Sequence, residues 1–285
     1  MSFLAISASK SPYLAHAQEW LKAHFHDAGT ILIIADAVPK SYRLKALAKE
    51  LEDCGVGDAV AMAGASLARV LADKEVSADI MASATEAYAA DNEAFFKGIG
   101  IDCVSAHRLN DPVRALYNGA FGGIYIGGGS IVDLTENLQA SGLFNEIKER
   151  ALEGMPVAGA SAAVHLISPE ATATTVEQPY DGRELPELEG MGLIQSQFVV
   201  HADPENMGGK RAFATAYFEK GGVNPVIVLP ENGALVIPVT EAEKYGELAA
   251  HISILGEDGV EVVSPGNHIQ AQKGQMSPLF SPPAP

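Results

Sequence analysis

In VAGASAAVHL, residues 157–166, a serine stands between small residues immediately after an apolar run. That order suits a sharp turn from strand to helix, on which a serine hydroxyl stands clear of the backbone and the next amide points at a substrate carbonyl. Gly159, Ala160, Ala162 and Ala163 are small enough for such a turn. The same run also suits a packing seam where a strand meets a helix, so these residues alone leave Ser161 open to two readings, nucleophile or buried spacer. GGGS at 127–130, between the apolar GGIYI and the amphipathic IVDLTENLQASGLF, is a second candidate. Consecutive glycines let backbone amides approach a ligand closely. A phosphate-binding loop would carry Lys followed by Ser or Thr, and GGGSIVDL has none. One βα unit ahead of Ser161, the loop suits an oxyanion hole made of the Gly129 and Ala162 amides, with a plain tight turn as the alternative.

A serine nucleophile needs a base. Of the eight histidines, His16, His24 and His26 fall in the first helix and its end, His107 ends a strand, and His165 lies one turn beyond the serine. His201 closes the apolar run GLIQSQFVV, and ligands bind at that end of strands in open α/β sheets, so it is the best base. The sequence HAD also places Asp203 beside it, but two ligands without a third do not make a metal site. Neither a metal nor a cofactor is expected. Glu231 in IVLPENGAL directly follows another apolar run and suits the carboxylate that orients the base, or a surface turn residue of the kind P-E-N commonly gives.

These residues need a scaffold, and the chain carries the pattern of one. Short apolar runs alternate with amphipathic stretches, as in βα units around a mainly parallel sheet. FLAIS (3–7), TILIIADAV (30–38), IDCVSAHRL (101–109), GGIYIGGG (122–129) and MPVAGAS (155–161) read as strands. GLIQSQFVV (192–200), NPVIVLP (224–230) and GALVIPV (233–239) follow. HISIL (251–255) and GVEVVS (259–264) flank GEDG, a hairpin signal. Leu14, Ala17, Leu21 and Phe25 share one helical face, as do Leu44, Leu47 and Leu51. Ala-rich residues 56–92 break the alternation and read as an insertion; 1–270 read as one domain, and 271–285 as a Pro- and Ser-rich tail.

Composition narrows the function. With 36 acidic against 19 basic residues and a formal charge of −17, the chain lacks the clustered cations that nucleic acid requires. No apolar run approaches the ~20 residues of a membrane span, and the N-terminal stretch reads as no signal peptide. Cys54 and Cys103 show neither CxxC spacing nor a place at an elbow, which disfavours a disulfide framework and a cysteine-dependent glutamine amidotransferase. A cytoplasmic location is the expectation.

Taken in order, these elements resemble the serine peptidases of the dipeptidase E (aspartyl dipeptidase) and cyanophycinase family. FLAISASKSPYLAHAQEWL with ILIIADAV resembles its first strand, helix and second strand. The stretch from IDCVSAHRL to MPVAGASAA resembles its central portion, and LPENGALVI the segment bearing its acid. The resemblance implies an α/β three-layer sandwich of flavodoxin-like or class I glutamine-amidotransferase-like fold. It implies a Ser161–His201–Glu231 triad, oxyanion amides at Gly129 and Ala162, and hydrolysis of small peptides at aspartyl or isoaspartyl-type bonds. A basic residue between base and acid binds the substrate carboxylate in the family, a role that falls to Lys210 or Arg211, and Ser130 stands where Asn is frequent beside the glycine loop. The chain departs from the family's W/T-S-A-G-A at Ala163, whose methyl is expected to narrow the oxyanion site, and from the aromatic residue after the base at Ala202. These departures leave a second reading, an inactive relative that binds a small molecule or serves assembly. Residues 56–92 are expected to cover the site or to join copies of the chain in a homo-oligomer.

Overall fold

A computed structural model describes residues 2–7, 14–53, 78–175, 184–203, 205–239, 253–255, 259–264 and 267–271. Its strands are β1 (Ser2–Ile6), β2 (Ile31–Ile34), β3 (Cys103–Ser105), β4 (Gly123–Ile126), β5 (Val157–Ala160), β6 (Gln197–Ala202), β7 (Val226–Pro230), β8 (Ala234–Pro238), β9 (Ser253–Leu255), β10 (Val260–Ser264) and β11 (Asn267–Ala271). Its α-helices are α1 (Gln18–His24), α2 (Lys40–Asp53), α3 (Ala78–Gly98), α4 (Pro112–Tyr117), α5 (Ile131–Ser141), α6 (Leu143–Glu153), α7 (Ala162–Leu166) and α8 (Met207–Glu219).

The strands form two sheets. The first, of seven strands, runs β3-β2-β4-β5-β1-β8-β9. From β3 to β1 the pairing is parallel, and β8 and β9 add antiparallel strands at one edge. Counted from β2, the order β3-β2-β4-β5 is that of a flavodoxin-like doubly wound sheet. Side chains alternate between its faces, as the two-residue period of a strand requires. Phe3, Ala5, Leu32, Ile34, Ile124 and Ile126 face one way and pack with Leu134, Leu138, Ile147 and Val164 of α5, α6 and α7. Leu4, Ile6, Ile31, Ile33 and Tyr125 face the other way onto Leu21, Phe25 and Phe96. Helices on both faces make the α/β sandwich, and the strands are apolar throughout because both faces are covered.

The second sheet, β11-β10-β7-β6, pairs β6 with β7 in parallel and the rest antiparallel. Phe198, Val200, Ile227 and Leu229 join the main core, whereas Val199, Ala202, Val226 and Val228 pack on Ala214 and Tyr217 of α8. Among the described residues, β9 and β10 do not pair as the hairpin expected across GEDG. β9 pairs with β8 in the first sheet, and β10 pairs with β7 and β11 in the second. Turn residues permit a hairpin without requiring one, and here each strand finds a longer-range partner at an open sheet edge.

Leu14, Ala17, Leu21 and Phe25 are all buried, as their spacing implies. Of the Ala-rich residues 56–92, those from 78 onward are described. Residues 78–98 are a helix whose Ala84, Tyr88 and Ala89 are fully buried, and Tyr88 donates a hydrogen bond to the Gly128 carbonyl at 2.8 Å. Alanine is the best helix former, and its small side chain lets α3 approach the sheet closely. Cys54, residues 54–77 and the tail from 272 onward lie outside the described residues. Cys103 is a buried free thiol, pushed up to about 11 by desolvation.

Candidate active site

Ser161 follows β5 and precedes α7 with φ 52° and ψ −107°, a conformation a side-chain-bearing residue rarely adopts. The chain turns sharply there because Gly159 and Ala163 are small: a Cβ on Gly159 would come within 2.5 Å of the Ala163 methyl. The Ser161 amide donates to the Ile6 carbonyl at 2.9 Å, which ties the turn to β1. The hydroxyl lies 2.7 Å from Nε2 of His201. Ala163 is fully buried over Gly159 and does not line the cavity, so its methyl fills the seam between β5 and α7 rather than narrowing the oxyanion site.

His201 lies near the end of β6, where the pairing with β7 shifts register between Val199 and Ala202. Its φ of 61° is left-handed. Nδ1 is 2.8 Å from Oε2 of Glu231, which follows β7 and whose own amide donates to Ala202 O at 2.6 Å. A carboxylate only accepts, so in the neutral ring the proton sits on Nδ1 and leaves Nε2 free to accept from the Ser161 hydroxyl. Three residues from two sheets thus form one hydrogen-bonded chain. Two further contacts hold His201: Ser7 Oγ accepts its amide proton at 2.9 Å, and the Asn206 side-chain amide donates to its carbonyl at 3.1 Å.

The glycine loop comes to the same place from β4. At Gly129 φ is 146°, and a Cβ would fall on the Ala37 carbonyl oxygen, so no other residue fits. Gly129, Ser161, Ala162, His165, Thr174, Thr175, Val199, Val200, His201 and Lys210 line a cavity of about 310 Å³. Ser130 is not among them. It is fully buried, and its hydroxyl caps α5 by accepting from the Asp133 amide at 3.2 Å, so it stands ready to shape the loop rather than to meet a substrate.

The two adjacent basic residues part company. Lys210 faces the cavity; burial holds its ammonium below the ordinary lysine value, against the pull of Glu231 and Asp203. Arg211 points elsewhere, fork to fork with the buried Glu261, Nε at 2.8 Å and Nη2 at 2.6 Å. On a helix, neighbours in sequence project about 100° apart, so the two side chains leave α8 in different directions. Arg211, expected to bind the substrate carboxylate, is engaged by Glu261 and is not among the residues that line the cavity.

His165, set aside in the sequence as a neighbour of the serine, lines the cavity too. Its buried ring is pushed down to about 3, first by desolvation and then by His201 and Lys210, so it stays neutral. Thr174 and Thr175, from the polar run ATATT, also face the cavity, and the Thr174 hydroxyl is turned to the Phe198 carbonyl. Ser7, Tyr88 and Asn206 carry no local motif that marks them. Asp203 accepts the amides of Glu205 and Asn206 at 3.0 and 2.9 Å, a turn-forming role. Among the described residues no group of three or more His, Cys, Asp or Glu could hold a metal ion, and no helix is long and apolar enough to cross a membrane.

Peptidase E of Shewanella sp. (strain W3-18-1) and peptidase E of Shewanella putrefaciens (strain CN-32) are each 30% identical to this chain over 142 residues, 48% of its length. The chain spans 58% of the length of these curated relatives. A crystal structure of a peptidase from an acI-B1 actinobacterium shares the fold, with a TM-score of 0.58 at 15% identity over 96% of this chain and 95% of that one. The sequence model of peptidase family S51 matches residues 77–245, a span that takes in Gly129, Ser161, His201 and Glu231. Since that match covers more than half of the chain, the chain belongs to peptidase family S51.

Proposed function

We propose that this chain is a serine peptidase that hydrolyses small peptides, at aspartyl or isoaspartyl-type bonds, through Ser161, His201 and Glu231. The observation that carries the proposal is the hydrogen-bonded chain from the Ser161 hydroxyl through both ring nitrogens of His201 to Glu231, at 2.7 and 2.8 Å, on a strained turn that opens into a cavity. Ser161 Oγ attacks the peptide carbonyl as His201 Nε2 takes its proton, and the Gly129 and Ala162 amides receive the negative charge that develops on the carbonyl oxygen. His201 then returns the proton to the leaving amine, and the C–N bond breaks. Water, deprotonated by the same imidazole, releases the acyl group and restores the serine. Glu231 holds the ring in the required tautomer and stabilises its charged form.

The preference for an acidic side chain is supported by Lys210, the cation that lines the cavity beside the triad. A lysine meets a carboxylate as a point charge rather than as a planar fork, so it tolerates both aspartyl and isoaspartyl geometries. The cavity of about 310 Å³ suits a dipeptide-sized substrate better than a folded protein. We place this activity in the cytoplasm.

Incubation with a fluorophosphonate, followed by peptide mapping, tests the reading together with release of aspartate from Asp-X dipeptides. Label on Ser161 and a loss of at least ~10³-fold in turnover for Ser161→Ala are expected, at unchanged folding, because the change removes one hydroxyl. An unlabelled Ser161, or a Ser161→Ala protein that still turns over, would sink the proposal.

A further inference from the structure

The nucleophile and the other two residues of the triad stand on different sheets. Ser161 follows β5 of the first sheet, whereas His201 and Glu231 end β6 and β7 of the second. The Ser161–His201 distance therefore depends on how the two sheets meet, and at that seam lies Ser7, the residue after β1. Its side chain is fully buried. Its amide donates to Gly233 O at 3.0 Å, its hydroxyl donates to Leu229 O at 3.1 Å, and the same oxygen accepts the His201 amide proton at 2.9 Å. One residue earlier, Ile6 O accepts the Ser161 amide at 2.9 Å. The end of β1 thus grips the serine turn on one side and the histidine strand on the other.

We infer that Ser7 is a positioning residue for catalysis, which holds the His201 backbone in its left-handed conformation and sets the distance between Nε2 and the Ser161 hydroxyl. The inference rests on the triad reading above. A left-handed backbone at a histidine is uncommon and persists only where its surroundings over-determine it. Ser7 supplies that determination from the main-chain amide while Glu231 supplies it from the ring. Without the hydroxyl, the His201 amide and the Leu229 carbonyl both lose a buried partner, and the backbone relaxes toward φ below zero, swinging the ring away from Ser161. Misplacement of a catalytic group by about 1 Å costs on the order of 10²-fold.

Ser7→Ala is accordingly expected to lower kcat, and the rate of fluorophosphonate labelling of Ser161, by ~10- to 100-fold with KM within about two-fold. In a His201→Ala background the same change should leave the residual rate unaltered, because Ser7 acts through His201. In wild type the His201 Nδ1 proton, held by Glu231, should appear as a far-downfield proton resonance, and in Ser7→Ala it should move upfield or vanish by exchange. If Ser7→Ala is too unstable to assay, Ser7→Cys, which fills the site with a poor acceptor, carries the same readouts. Unchanged kcat and labelling would overturn the inference, as would an equal loss in the His201→Ala background, which marks a merely structural role. If wild type has no peptidase activity, the triad reading fails separately. The resonance then tests the geometry alone: its retention in Ser7→Ala overturns the hold of Ser7 on the His201 ring, and its loss upholds that hold without a catalytic role.

Discussion

The two sheets contribute to the site in different ways. The first sheet delivers Gly129 and Ser161 on turns built by their own sequence, where glycine and alanine permit backbone conformations that larger residues forbid. The second delivers His201 and Glu231 at strand ends whose neighbours are ordinary, and contacts from far along the chain hold them in place: Ser7 is 194 residues from His201. In the first sheet small local residues permit the turns and distant groups such as Ile6 then tie them, whereas in the second the left-handed His201 meets Ser7 with no small-residue run around it. A site of this kind fails in two ways, by a single substitution at the serine turn or by slippage between the sheets.

Glu231→Gln tests the second sheet most sharply. The amide can turn its NH₂ toward Nδ1, which selects the wrong tautomer and leaves Nε2 protonated where it must accept from Ser161. Turnover on an Asp-X dipeptide should fall by ~10³- to 10⁴-fold while the melting temperature stays close to wild type. A Glu231→Gln protein with wild-type turnover would show that the second sheet does not supply the acid.

Lys210 and Arg211 sharpen the comparison within α8 itself. Lys210→Ala should raise KM for aspartyl dipeptides by ~10-fold or more and leave KM for neutral ones unchanged, since it removes the cation and nothing else that touches the substrate. Arg211→Ala should leave both KM values alone and lower the melting temperature, because the buried Glu261 then loses both hydrogen bonds of the guanidinium fork. Steady-state kinetics and thermal melts on the two variants separate these outcomes. A KM effect at Arg211 would mean that the Glu261 pair opens when substrate binds.

The fold and the site were not equally legible in the sequence. The parallel pairing of the first sheet follows from apolar runs alternating with helical stripes, and Ser161 and Gly129 stand in glycine- and alanine-rich runs that suit a turn, although the run at Ser161 suits a packing seam as well. His201 and Glu231 could be ranked by their place after apolar runs, but the runs alone do not say that β6 and β7 pair in a second sheet. Whether β9 and β10 form a hairpin was decided by partners that a local turn signal does not contain. Arg211 shows the same limit: Glu261, fifty residues downstream, takes its fork, and no local pattern announces that pairing. Tyr88 was hidden because alanine-rich helices carry weak amphipathic contrast, so the helix that braces Gly128 reads like an appended segment.

Acid should act on the first sheet through His165. Its folded value of about 3 lies below the unfolded value of 6.5, so the unfolded chain binds the proton first. Stability from the neutral ring is complete above pH 6.5 and is lost as pH falls from 6.5 toward 3, by up to ~1.4 kcal/mol per pH unit. His24, lowered to about 4 mainly by burial and hydrogen-bonded to Val157 O at 3.0 Å, adds in the same direction. Thermal melts between pH 7 and 4.5 should show a falling melting temperature, and His165→Gln should flatten the slope. A parallel slope in His165→Gln would assign the acid sensitivity to other groups.

The smallest effect expected is at Ala163, and it decides whether the serine turn is tuned by its neighbours or merely permitted by them. The resemblance puts glycine where this chain has Ala163, and a methyl that reached the oxyanion loop would slow the acylation of bulky substrates. The methyl instead meets Gly159, where an added Cβ would lie 2.5 Å away, and Ala163 is fully buried and absent from the cavity wall. Glycine in the first turn of α7 costs about 1 kcal/mol in backbone entropy, and the lost methyl adds about 0.8 kcal/mol of burial, so Ala163→Gly should destabilise by ~1–2 kcal/mol. Turnover should stay within about two-fold, because neither Gly129 nor the Ala162 amide moves when a void opens on the far side of the turn. Denaturant melts and a dipeptide panel with acyl groups of increasing size measure both quantities. A rise in turnover that grows with acyl size would mean that the methyl presses on the oxyanion donors through Gly159, and the first sheet would then be a tuned element rather than a rigid one.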